Sequence, residues 1–166
     1  MTYDEVLKSA RGNMGPYCKV CSVCNGAACK NQMPGPGAKG VGDNAVRNYQ
    51  KWQEIRVNMD TISENRPVDT SLSLFGKTFR YPFFAGPVGA VNLHYGEKYN
   101  DMEYNQILVK ACSENGIAAF TGDGTNPAVM EAASKAIAAE HGNGIPTIKP
   151  WNVDTLREKY ELVKMS

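Results

Sequence analysis

The segment Arg80–Ala90, Arg-Tyr-Pro-Phe-Phe-Ala-Gly-Pro-Val-Gly-Ala, constrains the fold more than any other part of the chain. A short apolar run between Pro82 and Pro87 reads as a fully buried strand, not a helix. Its last side chains shrink to Gly86, Pro87, Val88, Gly89 and Ala90, so backbone there can come close to something flat or large. Ser71 to Tyr81 leads into it, alternating apolar and polar on both sides of Gly76-Lys77 as a β-hairpin does.

Beyond this segment, helix and strand patterns alternate. Asn100 and Glu103 have capping-box spacing, before a helix with Tyr104, Ile107, Leu108 and Ala111 on its apolar side and Gly116 as its stop. Ile117–Phe120 reads as a strand, followed by Thr121-Gly122-Asp123-Gly124. Asn126 then caps a helix with Pro127 at its first position and an inner face of Val129, Met130, Ala133 and Ile137. Ile145–Ile148 is the third strand, with Lys149 at its end. Asp154 is the expected cap of a last helix bearing Leu156, Tyr160 and Val163.

Three strand–helix units in succession predict an α/β fold with a parallel sheet. Parallel strands point the same ends at one edge, and ligands bind at the carboxyl edge of such sheets. Here Pro87-Val88-Gly89, Thr121-Gly122-Asp123 and Lys149 fall at that edge.

The part before the hairpin differs in kind, which divides the chain into residues 1–68 and 69–166. Thr2 and Glu5 form a capping-box pair for a short helix, ended by Gly12 and Gly15-Pro16. Then come Cys18, Cys21, Cys24 and Cys29, four thiols in twelve residues. Two-residue gaps place sulfurs on one turn, and four thiolates can complete a tetrahedral zinc site or hold an iron–sulfur cluster. Free thiols in a loop are the alternative. Lys19 and Lys30 can offset part of the thiolate charge. Cys112, on a helical pattern, reads as a small core residue. Residues 33–44 carry four glycines and two prolines, a loop without the Gly-Lys-Ser/Thr ending of a triphosphate-binding loop. Asn44 to Ile55 reads as an amphipathic helix through Ala45, Tyr49, Trp52 and Ile55.

Composition excludes several classes. A net charge of +1 gives no electrostatic footprint for nucleic acid or an anionic membrane. No apolar run approaches the ~20 residues of a membrane span, and the N-terminus has no signal-peptide core, so a cytoplasmic location is expected. At 166 residues the chain can bury a real core.

Asp69 to Ala90 resembles the hairpin and first barrel strand of the FMN-dependent α-hydroxy-acid oxidases and dehydrogenases, relatives of glycolate and lactate oxidase. Gly42 to Met59, with Arg47-Asn48 and Ile55-Arg56, is similar to the family's N-terminal helical segment. Cys112 to Asp123 is similar to its second helix and strand, and Ile145 to Pro150 to its third strand. The cysteine run is similar to that of a bacterial subgroup of α-hydroxy-acid oxidising proteins. The resemblance implies a partial (β/α)8 TIM barrel holding about the first three of its eight units, since a full barrel takes ~250 residues. It also implies FMN across the carboxyl ends of the strands. Pro87, Val88 and Gly89 would then lie beside the flavin ring, Gly122 would match a flavin-contact position with Thr121 or Asp123 assisting, and Lys149 would sit near a polar flavin contact. The implied activity is oxidation of small 2-hydroxy acids to 2-oxo acids.

The family's catalytic histidine, substrate-carboxylate arginine, flavin-binding lysine and phosphate-binding loops belong to its second barrel half. His94 and His141 do not match the catalytic position, the glycine-rich loop has no match for a substrate-binding tyrosine, and Gly124 replaces an aromatic residue. The expectation is a chain inactive alone, completed by a complementary C-terminal half or a second copy. Other FMN barrels such as isomerases share this half, and a metal-binding module with a docking half-barrel is the second reading.

Overall fold

The computed structural model describes residues 1–29 and 43–166. Lys30 and the glycine-rich loop through Gly42 lie outside the described residues. The chain forms two compact units, one of residues 1–66 with 92–98, the other of residues 67–91 with 99–166.

In the first unit, helix α1 (Tyr3–Arg11) starts on the expected box. The Thr2 side chain accepts from the Glu5 N–H, and the Glu5 carboxylate accepts from the Thr2 N–H. Leu7 is its buried residue. Gly15 and Gly96 pack backbone to backbone after it. A Cβ on Gly96, whose φ is +106°, would overlap the Asn13 carbonyl, so glycine is required there. Helix α2 (Asn44–Glu54) forms where its periodicity predicts. Ala45, Val46 and Tyr49 on its apolar side are half-buried, while its end stays open, with Trp52 72% exposed and Ile55, just after the helix, 64% exposed.

The second unit opens with the hairpin β1 (Leu72–Leu74) and β2 (Lys77–Phe79), antiparallel and in the register Leu72–Phe79, Ser73–Thr78, Leu74–Lys77. Phe75 and Gly76 make a two-residue turn with φ of +53° and +73°, the left-handed pair that matches strand twist. In chain order one helical turn, α3 (Val91–His94), comes next, its residues 92–94 belonging to the first unit, and then α4 (Asp101–Glu114), α5 (Pro127–Ala139) and α6 (Val153–Val163) of the second.

Ahead of α4, α5 and α6 run three extended segments that pair in parallel. Ala85 bridges Ala119, and Phe120 bridges Ile145. Four backbone bonds make the link: Ala85 N–H to Ala118, Phe120 N–H to Ala85, Ile145 N–H to Ala119 and Thr121 N–H to Ile145, at 2.8–3.0 Å. The order is therefore sequential and the class α/β.

The pairing is shorter than the patterns predict, single bridges and not full strands. Arg80–Ala90 in particular is not a fully buried strand, for Phe83 is 61% exposed and its parallel bridge is made at Ala85 alone. Pro82 and Pro87 lack the N–H groups that would extend the ladder.

The core is built from Val109 and Cys112 of α4, Ala119 of the second extended segment and Ile137 of α5. Asn100 and Glu103 cap each other at the start of α4, and Asn126 accepts from the Ala128 N–H at the start of α5. The cap of α6 is Asn152, which accepts from the Thr155 N–H, and not Asp154. Asp154 falls instead in the first turn, where its charge still favours the helix dipole. The buried residue of α6 is Lys159, while Tyr160 is exposed.

The hairpin lies against the amino ends of the parallel segments. The Arg80 N–H donates to Gly116 and the Lys77 ammonium to the His141 carbonyl. The opposite, carboxyl edge is thereby left to the strand-end residues.

Candidate functional site

At the carboxyl edge the first two segments touch through backbone. A Cβ on Gly122 would overlap the Val88 carbonyl oxygen, and one on Gly89 would lie 2.9 Å from that of Asp123. These glycines admit the neighbouring backbone. Gly86 differs: a Cβ there meets nothing within 4 Å, and Gly86 and Pro87 are exposed.

Asn105 of α4, fully buried, holds Gly122 from behind. Its Oδ1 accepts from the Gly122 N–H at 2.9 Å, and its Nδ2 donates to the Gly122 carbonyl at 3.4 Å. Thr121 is fully buried, and its hydroxyl has no hydrogen-bond partner among the described residues.

Asp123 is 2% exposed and fully engaged. Its Oδ1 accepts from the Lys159 ammonium at 2.5 Å. Its Oδ2 accepts from the Lys149 N–H at 2.9 Å and from the Trp151 indole Nε1 at 2.6 Å. Lys159 also donates to the Gly124 carbonyl at 2.7 Å, and its ammonium stands 5.1 Å from the centre of the Trp151 ring. Burial acts to raise the Asp123 pKa. The Lys149 N–H, the Lys159 and Trp151 bonds and the Lys159 charge outweigh it, so the carboxyl is held below the ordinary aspartate value.

The structure therefore brings Val88, Gly89, Thr121, Gly122, Asp123 and the Lys149 backbone to one edge, with Pro87 and the Lys149 side chain exposed there. Sequence reasoning missed Asn105, Trp151 and Lys159. Asn105 was findable as a polar residue on the inner side of the α4 pattern. Lys159 gave no signal, since a lysine on a helix is normally solvated.

The cysteine run sits in the first unit. Among the described residues no three His, Cys, Asp or Glu side chains gather as a metal-holding group. Cys18, Cys21, Cys24 and Cys29 are thus not drawn together into the expected four-thiolate site. Local bonds engage two of the thiols instead. Cys18 Sγ accepts from the Val20 N–H at 3.4 Å, and Cys29 Sγ donates to the Gly26 carbonyl at 3.7 Å. Val20, between the first two cysteines, has φ of +48°, and Cys24 points to solvent as an exposed residue. Nearby, burial first and then the Cys18 sulfur raise the Tyr95 pKa. Cys112 is a buried core thiol, as expected, and burial raises its pKa. No helix among the described residues is long and apolar enough to cross a membrane.

A family model described as FMN-dependent dehydrogenase matches residues 36–159, well over half of the 166-residue chain. No curated protein and no solved structure matches.

Proposed function

Because the chain belongs to the FMN-dependent dehydrogenase family, we propose that its carboxyl edge is the near side of a flavin site in an enzyme oxidising small 2-hydroxy acids. The observation that carries this reading is the convergence of three strand ends on one edge, through Gly122 against Val88 and Asp123 against Lys149. We read residues 69–166, with their three parallel segments, as the opening units of a (β/α)8 barrel, preceded by an N-terminal segment over 1–68.

The residues fit one face of the group. Gly86 and Pro87 leave open space beside the first strand end, Thr121 carries an unpaired buried hydroxyl, and Lys149 offers an exposed cation. FMN, when bound, supplies the two-electron acceptor. Lys149 would stabilise negative charge at the ring edge, Thr121 would offer a hydrogen bond, and Pro87-Val88-Gly89 would shape the floor. A base for the substrate hydroxyl is not among these residues. On this reading, flavin binding without hydroxy-acid turnover is the behaviour expected of the site that these residues build.

Titration of the full chain with FMN, followed by flavin absorbance and fluorescence, tests the site. Saturable quenching with a perturbed flavin spectrum is expected, and it should weaken in Lys149→Ala. No lactate- or glycolate-dependent flavin reduction is expected under anaerobic conditions. Absence of any flavin uptake, alone or with a C-terminal barrel half, would sink the reading.

A further inference from the structure

We infer that the buried Asp123–Lys159 pair is a positioning device for the flavin edge, fixing the Trp151 indole and the Lys149 backbone where they meet the ring. The inference rests on the flavin reading above and adds two residues to it, Lys159 and Trp151. It also removes Asp123 from the set of direct flavin contacts.

The chemistry of the carboxylate carries the argument. Asp123 is 2% exposed, and its two oxygens already accept from three donors. Nothing is left on it for a ligand. A buried ion pair is weak evidence for stability, since well-packed apolar residues often serve as well or better. What this pair does provide is position. It ties Asp123-Gly124 to two segments 26 to 36 positions further along, Lys149–Trp151 and Lys159 of α6.

The tethered groups are the ones a flavin at this edge can reach. Trp151 is half-buried, anchored through its indole N–H, with the Lys159 ammonium over its ring. Fixing the ring and the backbone of residue 149 limits where the exposed Lys149 ammonium can sit. Orientation set in advance lowers the cost of ordering side chains on binding. Asp123 and Lys159 are thus positioning residues that act through Trp151 and Lys149.

The full-length chain, titrated with FMN, tests this through Asp123→Asn and Trp151→Phe. Asp123→Asn keeps the shape and loses the charge that holds Lys159. Trp151→Phe keeps a ring and loses only the N–H tether. Each is expected to weaken FMN binding at least about tenfold, the scale of one hydrogen bond to a charged group. The indole N–H resonance of Trp151, assigned against Trp52→Phe, should move in Asp123→Asn without loss of the overall spectrum. A folded Asp123→Asn that binds FMN within about twofold of wild type while that resonance has moved would overturn the inference. Should Asp123→Asn not fold, wild-type affinity in Trp151→Phe overturns it equally. If the wild-type chain takes up no FMN while its indole resonance shows the tether, the flavin reading has failed and this inference with it. If the wild type binds and the variants bind equally well, only the inference has failed.

Discussion

Asp123 and Lys159 carry opposite charges in an interior where neither is affordable alone. Removing one partner leaves the other charge buried and unpaired, which typically costs about 3–5 kcal/mol. Lys159→Ala should therefore lower the urea midpoint strongly, by a destabilisation in that range, whereas Lys135→Ala on the exposed Glu131 pair should cost less than about 1 kcal/mol. The pH dependence has a definite sign. The Asp123 pKa is depressed in the folded state, so its contribution is complete above the ordinary aspartate value near ~3.9 and is lost as pH falls through the lower folded value. Stability should thus drop on acidification below about pH 4, and that part of the drop should vanish in Asp123→Asn. A second pair of variants separates two glycines with the same sequence appearance. Gly122→Ala would place a Cβ against the Val88 carbonyl and should destabilise at the upper end of the about 1–3 kcal/mol overpacking range. Gly86→Ala meets open space and should leave the denaturation midpoint unchanged. An unchanged Gly122→Ala would contradict the close approach of the two strand ends. Asp123 was legible as a strand-end residue, because strand-end loops follow from the alternating pattern. Its partner was not, because the pairing spans 36 positions and no local pattern encodes it.

Among the elements, helix starts were the most legible feature, since a cap is a local bond between residues two or three apart. Thr2 with Glu5, Asn100 with Glu103 and Asn126 with Ala128 all form as their spacing predicts. The one misread start, Asp154 for Asn152, arose because both residues are good caps two positions apart and only the Asn152 bond to Thr155 decides between them. Strand extents were poorly legible. An apolar run tells that a segment can be buried but not how many of its N–H groups find partners, and the prolines at 82 and 87 settled that against a long ladder. The cysteine run shows the same limit, for spacing brings thiols near one turn without making them converge. The hairpin turn yields a test at this scale. Phe75 is a bulky residue at φ of +53°, and it is 78% exposed. A left-handed conformation costs an ordinary side chain roughly 1–2 kcal/mol, and Asn tolerates it far better. Phe75→Asn should raise stability by about 0.5–1 kcal/mol, read from the thermal midpoint. A lowered midpoint would mean that Phe75 is held by contacts the turn geometry does not account for.

For the molecule as a whole, the division into two units makes a claim about cooperativity. Every residue of the main core, Val109, Cys112, Ala119 and Ile137, comes from the second unit, as do the hairpin, the parallel bridges and the Asp123 network. The first unit relies on short local bonds, on Leu7 and on glycine packing, and no described residue of α2 is fully buried. Its stability should therefore sit at the low end of the range within one protein, and that of the second unit at the high end. Deleting residues 1–66 removes none of the groups that build the second unit. The remaining chain of about 100 residues is large enough to bury the larger part of its unfolded surface. It should unfold in one cooperative urea transition, with slow amide exchange at Val109, Ala119 and Ile137, as in the full chain. The segment 92–98 loses its partners in that truncation and should exchange freely. Because the flavin edge lies wholly within the second unit, FMN affinity should change by less than about threefold, which is less than ~0.7 kcal/mol. A non-cooperative transition, or loss of protection at Ala119, would show that the N-terminal residues are part of the core after all.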